Sequence, residues 1–302
     1  MTRFPAMATG LLLLCAPSGQ AQVVPDRSPL VFAASVDTVL IDAFATRDGV
    51  AIQGLVTRDF ALSDNGAPQA FDLVPADSLP IRAILVFDAS SSVEGTKLAR
   101  LRTAAESFLD QLRPQDEAAL ISFSEEVAWL SPLTLDRARV KGALRLIRAQ
   151  GATAVYDALF AALVMPRSAL RTLVILFSDG EDNMSFLDEA RTRRMVERSN
   201  ALIHVVAAKS RGPAPGLAPS EVNHIKSLAG LARITGGSLI EVESPERIGA
   251  AFSEIILGMK SRYVLRYAPE TEPVPGWHKL DVRLTSGQGK VRGRAGYWVE
   301  AR

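Results

Sequence analysis

The run Ile84-Leu85-Val86-Phe87 leads into Asp88-Ala89-Ser90-Ser91-Ser92, and helical spacing begins shortly afterwards. One carboxylate and two hydroxyls at the end of a strand are hard oxygen donors, suited to magnesium, manganese or calcium and poorly suited to soft metals. The same pattern recurs where Leu173-Val174-Ile175-Leu176-Phe177 ends in Ser178-Asp179-Gly180. Two strand-end carboxylates repel one another unless positive charge lies between them, and a metal ion supplies that charge. Gly151-Ala152-Thr153, just ahead of a helical stretch, offers another hydroxyl. The candidate metal-ligating set is therefore Asp88, Ser90, Ser92, Thr153 and Asp179. Asp-x-Ser-x-Ser alone is a weak string, and Ser92 by itself could cap the coming helix. The company of Thr153 and Asp179 in matching contexts sharpens it.

Other chemistries fit these residues less well. A phosphatase of the haloacid dehalogenase type needs a second acid two residues after the strand-end aspartate, and position 90 is serine. A serine hydrolase built on Ser90, Asp179 and His204 or His224 has the right residue types in chain order, but lacks the glycines that flank a nucleophile elbow. It stands as the runner-up, with a purely structural metal as a third reading. His204 lies in the apolar run Leu202 to Val206 and reads as a core histidine. His224 falls on an expected helix and His278 in a hairpin. The spacing of the three histidines supports no zinc site. Lys97 follows Gly95-Thr96, without the glycine frame of a phosphate-binding loop. Arg191, Arg193, Arg194 and Arg198 read as the solvated face of a helix.

The candidate ligands must be positioned by an alternation of apolar strands with amphipathic helices from about Arg82 to Lys260. This is the signature of an α/β domain with a mainly parallel sheet. The expected strands are Ala83 to Phe87, Ala118 to Phe123, Val127 to Leu130, Thr172 to Phe177, Ala201 to Ala207 and Ser238 to Val242. Helical spacing shows in Leu98, Leu101, Phe108 and Leu112, in Val155, Leu159 and Leu163, and in Ile248, Phe252, Ile255 and Met259. Loops at the carboxyl ends of such strands are where open α/β sheets bind ligands. The Pro- and Gly-rich loop Lys209 to Ser220 is expected on that edge, either for partner contact or as a plain connection. Glu181, Asp182 and Asn183 either shape the rim of the site or cap the next helix.

Two β-rich flanks bracket this domain. The first runs from about Val24 to Leu79 and alternates in Val36, Thr38, Leu40 and Asp42. The second begins at Tyr263. Turn dipeptides punctuate both, at Asp48-Gly49, Asn65-Gly66 and Ser286-Gly287. Each is close to the lower size limit for an independent core, whereas together they approach the roughly 100 residues of a small β-sandwich, so they are expected to pack on each other.

Asp88, Ser90, Ser92, Thr153 and Asp179, in this order and topology, resemble the metal-ion-dependent adhesion site of von Willebrand factor A domains. The resemblance implies a Rossmann-like domain in which both serines bind the metal directly, while the threonine and the aspartates bind directly or through water. The stretches Gly151 to Leu159 and Ser178 to Asn183 look like the bacterial branch of that family. Asp59 to Gln69 and Arg294-Ala295-Gly296-Tyr297 resemble exported von Willebrand factor A-related proteins of acidobacteria and their relatives. The resemblance further implies a non-catalytic adhesion protein holding Mg2+, or Mn2+ or Ca2+, with an open position completed by an Asp or Glu of a protein partner. In many members of the family that this chain resembles, metal ligation is coupled to a shift of the last helix, here about Pro245 to Lys260.

The chain of 302 residues carries 34 Lys plus Arg against 33 Asp plus Glu, so no overall field draws it to nucleic acid or anionic lipid. Arg3, the apolar run Ala6 to Ala16 and the small, polar stretch ending in Gly19-Gln20-Ala21 read as a secretory signal peptide cleaved after Ala21. Leu14 before Cys15 is too bulky for lipoprotein processing, and the mature chain has no cysteine and no stretch long enough to span a bilayer. The expected organisation is a signal peptide over 1–21, a β-rich segment over 22–80, the α/β domain over 81–260 and a β-rich segment over 261–302. The product is expected in the periplasm or secreted.

Overall fold

The computed structural model describes residues 38–164, 171–179, 182–208, 219–269 and 274–301. The signal-peptide reading, Gly180, Glu181 and most of the loop 209–220 lie outside them. In chain order the first flank gives β1 (Val39–Arg47), β2 (Val50–Ala51), β3 (Phe60–Asp64), β4 (Ala67–Pro68) and β5 (Asp72–Val74). The middle gives β6 (Ile81–Asp88), α1 (Thr96–Asp110), β7 (Glu117–Phe123), β8 (Val127–Thr134), α2 (Arg137–Leu144) and α3 (Val155–Leu163). It continues with β9 (Arg171–Ser178), α4 (Glu189–Arg198), β10 (Leu202–Ala208), α5 (Pro219–Ile234), β11 (Leu239–Val242) and α6 (Ile248–Lys260). The second flank gives β12 (Tyr263–Tyr267), β13 (Gly276–Leu284), β14 (Lys290–Arg292) and β15 (Gly296–Val299).

The central sheet has the order β11-β10-β9-β6-β7-β8 and is parallel except for the hairpin partner β8. Its inner strands β6, β7, β9 and β10 are apolar on both faces because helices cover both. Alternation along β6 sends Leu85 and Phe87 into one core, with Leu101 and Phe108 of α1 and Phe252 and Ile255 of α6. Ile84 and Val86 go into the other, with Val155 and Leu159 of α3 and Leu228 and Leu231 of α5. Phe252 stands edge-on to both Phe87 and Phe108, with ring centroids 5.9 and 6.2 Å apart. β6 connects through α1 to β7 on one side, whereas β9 connects through α4 to β10 on the other. The carboxyl ends of β6 and β9 therefore flank the point where the winding reverses.

The flanks interleave. One sheet has the order β14-β1-β12-β5 and the other β15-β13-β3-β4, so strands of the first flank pair with strands of the second in both. Val39, Ile41, Leu62, Leu265, Leu280 and Tyr297 share one core. The phase of β1 is opposite to the alternation read through Leu40 and Asp42: Val39, Ile41, Ala43 and Ala45 are the buried series. Asp42 instead accepts from Arg171 Nε at 3.0 Å, at the start of β9. Arg262 donates to the Asp42 carbonyl at 3.0 Å and to the Gly236 carbonyl at 2.8 Å. The second face of β1 is thus occupied by contacts to the α/β layer, which is why a polar residue sits there. Among the described residues no helix is long and apolar enough to cross a membrane.

Candidate metal centre

Asp88 is the last residue of β6, and its neighbour across the sheet is the end of β9. Asp88 is fully buried; Ser90, Thr153 and Asp179 are buried as well. The Asp88 carboxylate accepts from the Ser90 backbone N–H at 2.8 Å on one oxygen and from the Ser178 hydroxyl at 2.8 Å on the other. Ser92 Oγ lies 2.9 Å from Ser90 Oγ and donates to Asp179 Oδ1 at 2.6 Å. A continuous chain of oxygens therefore runs from Ser90 through Ser92 to Asp179. Ser92 is not the helix cap: Gly95 precedes α1, with φ +76° and no side-chain cap.

The Thr153 loop is clamped to the Asp88 loop by backbone. Gln150 N–H donates to the Ala89 carbonyl at 2.8 Å and Ser91 N–H to the Gly151 carbonyl at 3.1 Å. Gly151 makes this turn at φ +77°, a left-handed conformation that favours glycine. Asn183 holds Thr153 from the far side, accepting from its N–H at 2.8 Å and donating its own N–H to the Thr153 carbonyl at 3.0 Å. Asp182 accepts from the Tyr156 N–H at 3.0 Å. Asp182 and Asn183 thus brace the site; the cap of α4 is Asp188, accepting from Arg191 N–H at 2.7 Å.

Burial pushes the Asp88 carboxyl above the ordinary range. The Ser90 hydroxyl and amide and the Ser178 hydroxyl pull it back down, and the nearby charge of Asp179 pushes it up. A cation between the two carboxylates relieves both the desolvation and the repulsion. The carboxylates of Asp88 and Asp179 and the hydroxyls of Ser90 and Ser92 are hard oxygen donors of the kind that suit a divalent ion.

Lys97, in the first turn of α1, donates to the Ser92 carbonyl at 3.0 Å and forms an ion pair with Asp179 Oδ2. Motif spacing gives neither Lys97 nor Ser178 a role at the metal site. Lys97 meets a carboxylate 82 residues away, a contact that no local pattern reveals.

The hydrolase arrangement is not assembled with His204. His204 pairs in register with Ile175, three residues below the Ser178 end of β9, which at about 3.3 Å per residue leaves it roughly 10 Å down the sheet. Its Nδ1 meets Ser238 Oγ at 2.9 Å, and burial holds its pKa well below the ordinary value, as a neutral core histidine. His224, on α5, stands edge-on to Tyr156. His278 lies in β13 beside Asp64, with Nδ1 and Oδ1 3.0 Å apart.

The family model for the von Willebrand factor type A domain matches residues 83–181, from the first central strand to just past Asp179. The chain carries a von Willebrand factor type A domain. Among curated proteins, inter-alpha-trypsin inhibitor heavy chain H4 of Bos taurus is 29% identical over 137 residues, covering 40% of this chain. Heavy chain H2 of Sus scrofa is 26% identical over 147 residues, covering 44% of it. The chain spans about 15% of the length of these relatives. Among solved structures, a von Willebrand factor type A protein from Catenulispora acidiphila superposes with a TM-score of 0.51 at 16% identity, over 87% of this chain and 74% of that one. This last likeness is one of fold. It reaches beyond the von Willebrand factor A domain into the flanking strands.

Proposed function

We propose that the von Willebrand factor A domain serves in an exported, non-catalytic binding protein, as a metal-dependent adhesion site for another protein. Asp88, Ser90, Ser92, Thr153 and Asp179 would hold the cation, Mg2+ most readily, with Mn2+ or Ca2+ as alternatives. When bound, the ion supplies an electrophilic position for an acidic side chain of the partner. The observation that carries this reading is the buried pair Asp88 and Asp179, meeting at the winding reversal of the sheet with the hydroxyls of Ser90 and Ser92 between them. The rim supports a protein partner. Met184 donates its N–H to the Thr153 carbonyl at 3.2 Å, and Phe186 and Leu187 donate theirs to the Asp157 carboxylate at 2.9 and 3.0 Å. The loop so pinned leaves the Phe186 side chain 93% exposed beside the site. A rigidly presented aromatic next to a carboxylate-seeking ion suits protein recognition.

Calorimetric titration of the full chain with Mg2+ and Mn2+ tests the site. One binding event is expected, lost when both Asp88 and Asp179 are replaced by alanine; unchanged binding in that variant overturns the reading. A serine-directed activity probe is expected to leave Ser90 unlabelled, and labelling would favour the hydrolase.

A further inference from the structure

Lys97 is placed against the electrostatic preference of its own helix. It occupies the first turn of α1, where the unsatisfied N–H groups and the aligned peptide dipoles disfavour a cation. No side-chain cap relieves that end. Its stem nevertheless folds back over the Asp88 loop, so that the ammonium donates to the Ser92 carbonyl at 3.0 Å and pairs with Asp179 Oδ2. The other Asp179 oxygen accepts from Ser92. The Asp179 side chain is fully buried while that of Lys97 keeps 23% of its surface exposed, so of the two only the lysine has a path to water. A flexible four-carbon stem and a point charge suit such an exchange better than the rigid fork of an arginine.

We infer that Lys97 is a tethered counter-cation of the adhesion site, which neutralises Asp179 and is displaced toward solvent when a divalent ion binds. The inference rests on the proposed metal site. Its consequence is that Lys97 sets cation affinity: loading requires breaking an ion pair, so the site holds its ion more weakly than its donors alone would allow. The same pair keeps Asp88 and Asp179 from confronting each other uncompensated before loading. Lys97 thereby makes the folded domain less dependent on metal.

The test compares wild type, Lys97→Gln and Lys97→Arg by calorimetric titration with Mn2+. Lys97→Gln keeps most of the stem and a donor for the Ser92 carbonyl but removes the charge. It is expected to bind Mn2+ about tenfold more tightly, and Lys97→Arg, which keeps the charge on a less readily displaced group, to bind no more tightly than wild type. In metal-free buffer Lys97→Gln is expected to melt at a lower temperature than wild type, with saturating Mn2+ closing the gap. A purely structural lysine would lower the melting temperature and leave affinity unchanged, which overturns the inference, as does weaker binding. A second measurement needs no variant. Acetylation of Lys97 in the wild-type chain by a water-soluble acylating reagent, read by mass spectrometry, is expected to rise when Mn2+ is added; a constant rate overturns the displacement. If wild type binds and Lys97→Gln binds no better, the inference falls and the metal site stands. If neither Mg2+ nor Mn2+ binds wild type, the metal site itself falls and takes the inference with it.

Discussion

At the scale of single residues, the polar groups of the α/β layer fall into two kinds that respond differently to solvent. Asp88 is buried but answered by hydrogen bonds from Ser90 and Ser178. Replacing Ser178 by alanine removes one of those donors without touching the proposed coordination shell. The expected result is a modest loss of Mn2+ affinity, about tenfold, in the range found when groups behind metal ligands are removed; calorimetry reads it directly. His204 is buried and held neutral. Below about pH 6.5 the unfolded chain takes up a proton there that the folded chain refuses, so the unfolded state binds more protons and stability falls as pH falls. The loss begins near that pH and continues toward the depressed folded pKa, with a slope approaching about 1.4 kcal/mol per pH unit for one group. His204→Gln, which can still meet Ser238, is expected to flatten the melting-temperature profile between about pH 6.5 and 5. At this scale the sequence is informative where chemistry is local: Asp88, Ser90 and Ser92 are neighbours in one loop, and Asp179 and Thr153 sit in loops with their own signatures. The roles of Lys97 and Ser178 are not legible, because each acts through a residue far along the chain.

At the scale of elements, the helices matter to the site through the sheet they compress. Phe252 of α6 bridges Phe87 of β6 and Phe108 of α1, so it links the last helix to the strand that ends in Asp88. Truncating it to alanine leaves a cavity under that strand and should cost about 3–5 kcal/mol, measurable as a shift of the urea midpoint. A weakened contact here would also loosen the end of β6, so Mn2+ affinity should fall with stability. The central strands and the stripes of α1, α3 and α6 can be read in advance because continuous apolar runs and helical spacing persist over many residues. The phase of β1 cannot. Its even positions hold Leu40 and Asp42 and its odd positions Val39, Ile41, Ala43 and Ala45, so alternation alone offers two faces. Which one is buried in the sandwich depends on Asp42 finding Arg171 and Arg262 in a different part of the chain. Gly236 shows the same dependence. It turns at φ +83°, and a Cβ there would lie 2.6 Å from the Gly293 carbonyl carbon, an approach fixed by the second flank and invisible locally.

At the scale of the whole molecule, the two flanks are one structure divided in sequence, and this makes their stability mutual. β1 pairs with β12 and β14, and β3 pairs with β13, so the first flank has few pairings of its own. The carboxylate of Asp64 on β3 accepts from the hydroxyls of Tyr267 at 2.9 Å and Tyr297 at 2.8 Å, and its other oxygen lies 3.0 Å from His278, all three on the second flank. Burial, together with Asp64, pushes the Tyr297 hydroxyl up to about 12. Arg262, between α6 and β12, is buried against the Asp42 and Gly236 carbonyls, and burial holds its guanidinium down to about 10. Asp42 offsets part of that fall, but a chain lacking the second flank would leave Asp64 without those donors and β1 paired only with the two-residue β2. Removing residues 263–302 should therefore unpair Val39–Asp64 as a unit, while the sheet β11-β10-β9-β6-β7-β8 keeps every one of its own strand pairings. Limited proteolysis of the truncated chain is expected to cut first between residues 38 and 80, at least about tenfold faster than in the full chain, as expected for a segment whose opening free energy has collapsed. Cleavage within 81–260 should lag behind. Protection of the first flank equal to that of the full chain would show that it folds alone, and the shared sandwich would then be an association of two independent pieces.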